Sequence, residues 1–129
     1  MALNIAQDTG ENSLTDTLWH AVSSLRDSFH LSDEEMMMVL GKMPQSSYYR
    51  GLSQGTVRFD HDRTKRVSLL LGIYKALRII FVDSQQAMTW IDRENALPPF
   101  NGRPPRDYMV SGDYLDLARV RQFLDYWRG

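Results

Sequence analysis

The chain has 129 residues, a formal net charge of −1 and no cysteine, which excludes a disulfide framework, a thiolate metal site and a catalytic cysteine. Hydrophobic residues make up 43% of it and charged residues 24%, so we expect an ordinary globular unit rather than a disordered chain. The sequence does not open with a basic segment followed by an apolar stretch, and no apolar run is long enough for a bilayer, so a cytoplasmic protein without membrane contact is expected.

Helix signals dominate the first half of the chain. The helices predicted there span residues 15–29, 33–40 and 45–52. Capping boxes that start at Ser13 and Ser32 precede the first two. Gly41 and Gly55 suit the left-handed conformation that ends the second and third. The T-V-R-F stretch that follows is too brief to found a sheet, so residues 51–62 are expected to include an extended connector.

The longest predicted helix covers about residues 63–81. It is entered through Asp60 or Asp62, and a stripe of apolar side chains follows one side of it. The stripe consists of Val67, Leu70, Leu71, Tyr74, Leu77 and Phe81. This length and this stripe make the helix the expected spine of the fold. Asp83 then caps a shorter helix.

A proline-rich loop and two more helices complete the chain. The helical pattern is lost over residues 95–104. Pro105 fits the first turn of a short helix that stops at Gly112, and Asp113 caps the final helix. The apolar residues of that final helix, which face the core or a partner, are Leu117, Val120, Phe123 or Leu124, and Trp127.

We find no constellation of residues that predicts catalysis or metal binding. No histidine falls in a metal-ligand spacing such as H-E-x-x-H. The histidines are His20, His30 and His61. Neighbouring carboxylates, such as Glu34 and Glu35, lie at helix starts, where negative charge stabilises the helix dipole. We therefore predict no catalytic residue, no metal site, no cofactor and a non-enzymatic function.

Residues 32–55 have the pattern of a helix-turn-helix, two short helices around a glycine-containing turn. Residues 39–66 carry six cations against two acids, a local basic excess. The side chains that could contact DNA are Gln45, Ser46, Ser47, Tyr49, Arg50, Arg58 and Lys65, with Arg63 and Arg66 as further cations for the phosphates. The alternative is a plain helical hairpin in which Tyr48 and Leu52 pack against the first helix, and the pattern alone favours neither.

The last third of the chain carries the most specific pattern. The residues that make up this pattern, by their order and spacing, are Ala87, Trp90, Asn95, Pro98, Phe100, Gly102, Pro105, Asp107, Tyr108, Met109, Gly112, Val120, Leu124 and Gly129. This pattern resembles the toxin-binding domain of the Xre/ParS-type antitoxins, small bacterial proteins that neutralise a partner toxin of the RES-domain class.

The helical signals and this resemblance together imply an all-α protein. A helix-turn-helix-like module, residues 1–62, is expected to join a toxin-binding module, residues 63–129, through the shared long helix. In the family, the C-terminal region covers the toxin and its end reaches toward the toxin's nicotinamide-dinucleotide pocket, while the N-terminal half represses the shared operon. The resemblance implies toxin contacts by Phe100, Arg121, Asp125, Tyr126, Trp127, Arg128 and Gly129.

Three classes of function compete. The first is an antitoxin whose partners are a RES-domain toxin and operator DNA, and which forms a homodimer or a higher hetero-oligomer with the toxin. The second is a stand-alone helix-turn-helix regulator whose C-terminal module serves dimerisation or senses a ligand; it would bind an operator without any toxin. The third is an enzyme, for which the sequence offers no acid, base, nucleophile or metal constellation.

Overall fold

The computed structural model describes the backbone of residues 2–129 and the side chains of residues 13–129. Within that range the secondary structure is helical, with a 3₁₀ turn over Trp90–Asp92 and no strand. The α-helices are α1 (Ala2–Ser28), α2 (Asp33–Val39), α3 (Gln45–Gln54), α4 (His61–Ile80), α5 (Ser84–Thr89), α6 (Pro105–Met109) and α7 (Tyr114–Arg128). The predicted all-α class is confirmed.

The first helix is longer than the sequence pattern predicts. Because α1 begins at Ala2, Ser13 lies inside the helix and does not cap its start. The Ser13 carbonyl accepts a hydrogen bond from the Thr17 hydroxyl at 2.7 Å, a bond typical of a helix interior. Good helix formers such as Ala6 and Gln7 precede Ser13, but so do the poor ones Gly10 and Asn12, so helix propensity alone does not set the start of α1.

The turns around α2 and α3 follow the predicted signals. The Ser32 hydroxyl accepts from the Glu35 backbone at 3.0 Å and the Glu35 carboxylate accepts from the Ser32 backbone at 2.9 Å, which completes the capping box. Gly55 ends α3 in the left-handed conformation, with φ of 68°. Inside α3, a Cβ atom on Gly51 would lie 2.0 Å from the Trp19 ring. Glycine at this position therefore allows α3 to approach α1 closely.

Residues 55–60 form a connector that is neither helix nor strand, within the stretch where the sequence predicts one. Trp19 holds this connector against α1. Its indole N–H donates to the Val57 carbonyl at 2.7 Å, and its ring lies 4.7 Å from the Phe59 ring between centroids. The connector is thus fixed by a side chain of the first helix rather than by strand pairing.

The spine helix α4 packs alongside α7. Asp60, not Asp62, caps α4, since its carboxylate accepts from the backbone of the residue three positions later at 2.8 Å. The two helices run parallel, because Gly72 faces Arg121 and Phe81, just beyond α4, contacts Trp127 near the end of α7. A parallel pair needs a long return connection, which α5, the proline-rich loop and α6 supply.

One hydrophobic core runs through both halves of the chain. Every α-helix contributes at least one fully buried side chain to it, for example Val22, Met36, Tyr48, Leu70, Ala87, Met109 and Leu124. Because α4 contacts both α1 and α7, its buried side is common to the N-terminal and C-terminal parts. The two parts are therefore packed as one body.

Candidate functional site

The end of α7 presents two aromatic side chains in different ways. The ring of Trp127 lies 5.9 Å from Phe81, 6.2 Å from Trp90 and 6.1 Å from Phe123 between centroids. Trp127 is consequently embedded on one side and remains 50% exposed. Tyr126 is 90% exposed and projects from the same turn. These predicted toxin-contact residues thus form a surface with one recessed and one projecting ring.

Tyr126 separates two open hollows between α7 and the proline-rich loop. The first has a volume of about 430 Å³ and is lined by Asn95, Leu97, Phe123, Tyr126 and Trp127. The second has about 460 Å³ and is lined by Pro98, Pro99, Arg119, Gln122, Phe123 and Tyr126. Both hollows are mostly apolar, which suits contact with apolar groups rather than with ions.

The loop that forms one wall of these hollows is held by its own hydrogen bonds. The Asn95 side chain accepts from the Leu97 backbone at 3.0 Å, and the Asn95 carbonyl accepts from the Gly102 backbone at 2.7 Å. The Tyr108 hydroxyl donates to the Pro99 carbonyl at 2.9 Å. This loop is therefore ordered before any partner binds.

Charged side chains occupy another side of α7. Arg121 donates to Asp125 at 2.9 Å, and Arg128 lies 3.9 Å from the other oxygen of the same carboxylate. That second oxygen, Oδ1, is buried and has no hydrogen-bond partner among the described residues. The Arg121 guanidinium also lies over Gly72, where a Cβ would be 1.7 Å from it. Arg121 therefore helps to join α4 and α7, besides being half-exposed.

The structure corrects the expectation for Phe100. Its side chain is completely buried, in ring contact with Trp90, Tyr108 and Phe123. It cannot contact a toxin directly unless the loop opens, and it instead supports the loop from below. The sequence pattern could not separate an interface aromatic from a core one, because both are apolar rings in a loop. Gly129 lies exposed at the end of α7.

The predicted DNA contacts lie on three different elements. Gln45, Ser46, Tyr49 and Arg50 are exposed on α3, and Ser47 there is half-buried. Arg58 is exposed in the connector and Lys65 on α4. Tyr48 is fully buried, so the packing role weighed for it is confirmed. The exposed side of α3 is thus free to face a partner.

Two of the predicted phosphate-neutralising cations have structural roles instead. Arg63 donates to the Leu40 carbonyl at 3.1 Å and to Asp60 at 3.2 Å. Arg66 is only 8% exposed and donates to Asp62 at 2.8 Å and to the Gly112 carbonyl at 3.1 Å. The basic excess that the sequence suggests is therefore smaller on the folded surface, because these guanidinium groups satisfy backbone carbonyls and nearby carboxylates.

Comparison with known protein families supports both halves of this description. Residues 17–72 match the antitoxin Xre-like helix-turn-helix domain. Residues 76–129 match the antitoxin Xre/MbcA/ParS C-terminal toxin-binding domain. The chain belongs to the Xre/MbcA/ParS antitoxin family. The family models meet within α4, the helix that packs against both parts of the antitoxin.

The antitoxin is also similar to the uncharacterized protein y4oB of Sinorhizobium fredii. The two are 35% identical over 105 residues, which cover 81% of the antitoxin and 79% of that relative. The similarity extends over most of both chains. It therefore includes part of each of the two matched domains of the antitoxin rather than of one alone.

A partly buried polar cluster supports the helix-turn-helix of the antitoxin. Asp33 accepts a hydrogen bond from the Tyr48 hydroxyl at 2.7 Å and one from Arg26 at 2.9 Å. These bonds, that of Tyr48 first, lower the pKa of Asp33 although burial opposes them. Burial, reinforced by the nearby carboxylate, raises the pKa of Tyr48. The cluster ties α1, α2 and α3 together through one carboxylate.

Arg106 joins the toxin-binding domain of the antitoxin to its helix-turn-helix. It donates to Glu35 at 3.0 Å and to the Phe29 carbonyl at 3.0 Å, and it pairs with Asp92. Burial lowers the pKa of Arg106, but the bonds to Asp92 and Glu35 outweigh it and raise the pKa overall. The guanidinium therefore stays charged in a partly buried junction.

In the part of the antitoxin that the structure describes, no helix combines the length and apolarity needed to cross a bilayer. No group of three or more histidine, cysteine or acidic side chains in that part comes together to hold a metal ion. Of the histidines, His20 lies 3.3 Å from Asp16 on the exposed side of α1, an ordinary surface pair.

Sequence reasoning missed two features of the antitoxin's site. Leu97, which is 58% exposed, forms a wall of the first hollow. A signal existed, since an apolar residue directly before two prolines cannot continue a helix and lies in a loop. Arg106 offered no such signal, because its partners Glu35 and Phe29 are more than 70 residues away.

Proposed function

We propose that this antitoxin inhibits a RES-domain toxin, which consumes or uses NAD, by covering the toxin's active site with its C-terminal region. The observation that carries this proposal is the exposure of Tyr126 beside the half-exposed Trp127 at the end of the matched toxin-binding domain. Exposed aromatic and arginine side chains are enriched among the residues that dominate protein interfaces. The same turn ends in Arg128 and Gly129, which complete the proposed contact.

The charged side chains suit this role in a supporting way. Asp125 lies between Arg121 and Arg128 and holds Arg128 near the end of α7. In this proposal Arg128 approaches the toxin pocket as the cation at the helix end, where it also complements the helix dipole.

The direct test is co-expression of the full-length antitoxin with a RES-domain protein encoded beside its gene. We expect the two proteins to co-purify and the cells to grow, whereas the RES-domain protein alone should stop growth. A RES-domain neighbour that is neither bound nor neutralised would contradict the proposal. The partner would then be a toxin of another class.

We propose further that the helix-turn-helix represses the antitoxin's own operon. Support comes from the exposed side of α3, where Gln45, Ser46, Tyr49 and Arg50 are open to a DNA groove. Ser47, Arg58 and Lys65 are the flanking candidates for phosphate contacts. Gel shifts with DNA from upstream of the gene, at low salt and with or without toxin, test this. If no shift is seen, the helix-turn-helix has a structural role only and does not bind this DNA.

The remaining expectations fit the same proposal. A cytoplasmic, non-enzymatic protein that pairs with a palindromic operator is expected as a homodimer or within a higher complex with the toxin. The boundary between the helix-turn-helix module, residues 1–62, and the toxin-binding module, residues 63–129, is likewise part of the proposal. The close packing of α4 on both sides argues for testing the domains within the full chain.

A further inference from the structure

We infer that the hollow between Leu97 and Trp127 receives an apolar side chain of the toxin. Each protein then inserts a side chain into the other. Tyr126 projects into the toxin, and an apolar side chain of the toxin enters the hollow of the antitoxin. This inference rests on the proposed function, since its occupant is the same toxin.

The chemistry of the walls selects an apolar occupant. Asn95, Leu97, Phe123, Tyr126 and Trp127 line the hollow, and none of them is charged. The Asn95 carboxamide oxygen is already bonded to the Leu97 backbone. A charged side chain in this hollow would lose water without gaining a countercharge from its walls, whereas an apolar one would be stabilised by burial.

The position of Trp127 decides which protein supplies the inserted group. Its ring is held by Phe81, Trp90 and Phe123, so it cannot swing out without giving up three ring contacts. It therefore acts as a wall. Tyr126 has no ring contact of that kind among the described residues and is 90% exposed, so it is the group free to project.

The hollow exists before the partner arrives. The bonds of Asn95 to Leu97 and Gly102, and that of Tyr108 to Pro99, fix the loop that forms the opposite wall. A preformed site avoids the entropy cost of ordering a loop on binding. Contiguous exposed apolar surface is a mark of protein interaction sites.

Continuity with the proposed contact identifies the occupant as the toxin. All of the lining residues lie within residues 76–129, the part that matches the toxin-binding domain. Tyr126 and Trp127 belong both to the hollow and to the tail that is proposed to cover the toxin. An interface that buries this tail necessarily covers the mouth of the hollow as well, since the two share these side chains.

Leu97 and Leu115 provide a matched pair for the test. Both are leucines in the same domain, both are 58% exposed, and Leu115 lies on the first turn of α7 outside both hollows. Affinity for the purified RES-domain toxin is measured by titration calorimetry for full-length wild type, Leu97→Glu, Leu97→Met and Leu115→Glu. Circular dichroism melts of the free proteins establish that each variant is folded.

We expect Leu97→Glu to weaken toxin binding about 30-fold or more, the effect of losing a strong interface residue. Leu115→Glu and Leu97→Met should bind within about threefold of wild type, the first because it lies outside the hollow and the second because it keeps the wall apolar. Equal binding by folded Leu97→Glu and Leu115→Glu overturns this inference while leaving the proposed function intact.

Two other outcomes are distinguishable. If wild type itself does not bind the RES-domain toxin, the proposed function fails and the inference fails with it. If wild type sediments as a dimer and Leu97→Glu as a monomer, a second copy of this chain fills the hollow, and the toxin is not its occupant.

Discussion

Arg106 of α6 donates a hydrogen bond to Glu35 of α2 at 3.0 Å, although the two residues are 71 positions apart. Glu35 also completes the capping box of α2 with Ser32. One carboxylate therefore caps a helix of the helix-turn-helix and binds the toxin-binding domain. The consequence is that these domains, which match separate family models, are joined through charged groups as well as through the core of α4.

Replacing Arg106 with alanine should destabilise the whole protein. The change leaves Glu35 and Asp92 without their cation, and we expect a loss of about 2 kcal/mol in the free energy of unfolding, since breaking a partly buried pair costs more than a surface pair. Urea denaturation measures it. Arg103→Ala is the control, because Arg103 is 64% exposed, and it should cost less than about 0.5 kcal/mol. Equal losses for the two variants would contradict a structural role for Arg106.

Gly51→Ala and Gly72→Ala should differ sharply. A methyl group at Gly51 meets the buried Trp19 ring, which cannot move away, and overpacking of this kind costs about 1 to 3 kcal/mol. A methyl group at Gly72 meets only the far end of Arg121, which can swing aside. The gain of about 1 kcal/mol in helix propensity then offsets the displaced contact. Thermal melts of both variants test this. A Gly72→Ala variant as unstable as Gly51→Ala would contradict the prediction and show that the Arg121 side chain cannot move aside.

Acid should weaken the helix-turn-helix through Asp33. Because the fold lowers the pKa of Asp33 below its ordinary value of 3.8, its ionised form stabilises the folded state. That stabilisation is complete above the ordinary pKa and is lost as the pH falls through the lowered one. Between about pH 5 and about pH 2, wild type should therefore lose more unfolding free energy than Asp33→Asn. Parallel stability curves for the two proteins would exclude this carboxylate as the cause.

DNA binding, if it uses the α3 side, should depend on Arg50 and Lys65. The double variant Arg50→Ala/Lys65→Ala should weaken binding at low salt and reduce the slope of log affinity against log salt by about two, roughly 0.9 per lost phosphate contact. Lys75→Ala/Arg78→Ala makes the same charge change at exposed positions further along α4. If both double variants lower the slope equally, binding reflects overall charge and not a docked α3.

Deleting residues 126–129 should separate inhibition from stability. The deletion removes Trp127 and its three ring contacts, which should lower the free energy of unfolding by about 2 kcal/mol. Because a loss of this size leaves the protein folded, its helical circular dichroism should persist. Cells that express the toxin should nevertheless not be rescued. Arg106→Ala, which is expected to lose similar stability while keeping the tail, should rescue them. Rescue by the truncated protein would contradict inhibition by the tail and would indicate that the inhibitory contact lies in the loop before α6.

Local sequence signals predict most of the helices and their ends. Capping at Ser32 and Asp60, and the left-handed glycine at Gly55, are local signals, because a cap is formed by residues within four positions of one another. The family pattern of the last third depends in the same way on residues in fixed local order. The start of α1 was missed, because a serine box such as that at Ser13 is also compatible with a continuing helix.

Which of these residues are available to partners depends instead on how the helices pack against one another. Phe100 and Trp127 are both aromatic residues of the C-terminal part, yet one is buried and the other half-exposed. Arg66 and Lys65 are adjacent cations, yet Arg66 turns inward to a carbonyl 46 residues away. Burial and long-range hydrogen bonds depend on which helices meet, and the parallel packing of α4 on α7 brings distant residues together that no local spacing connects.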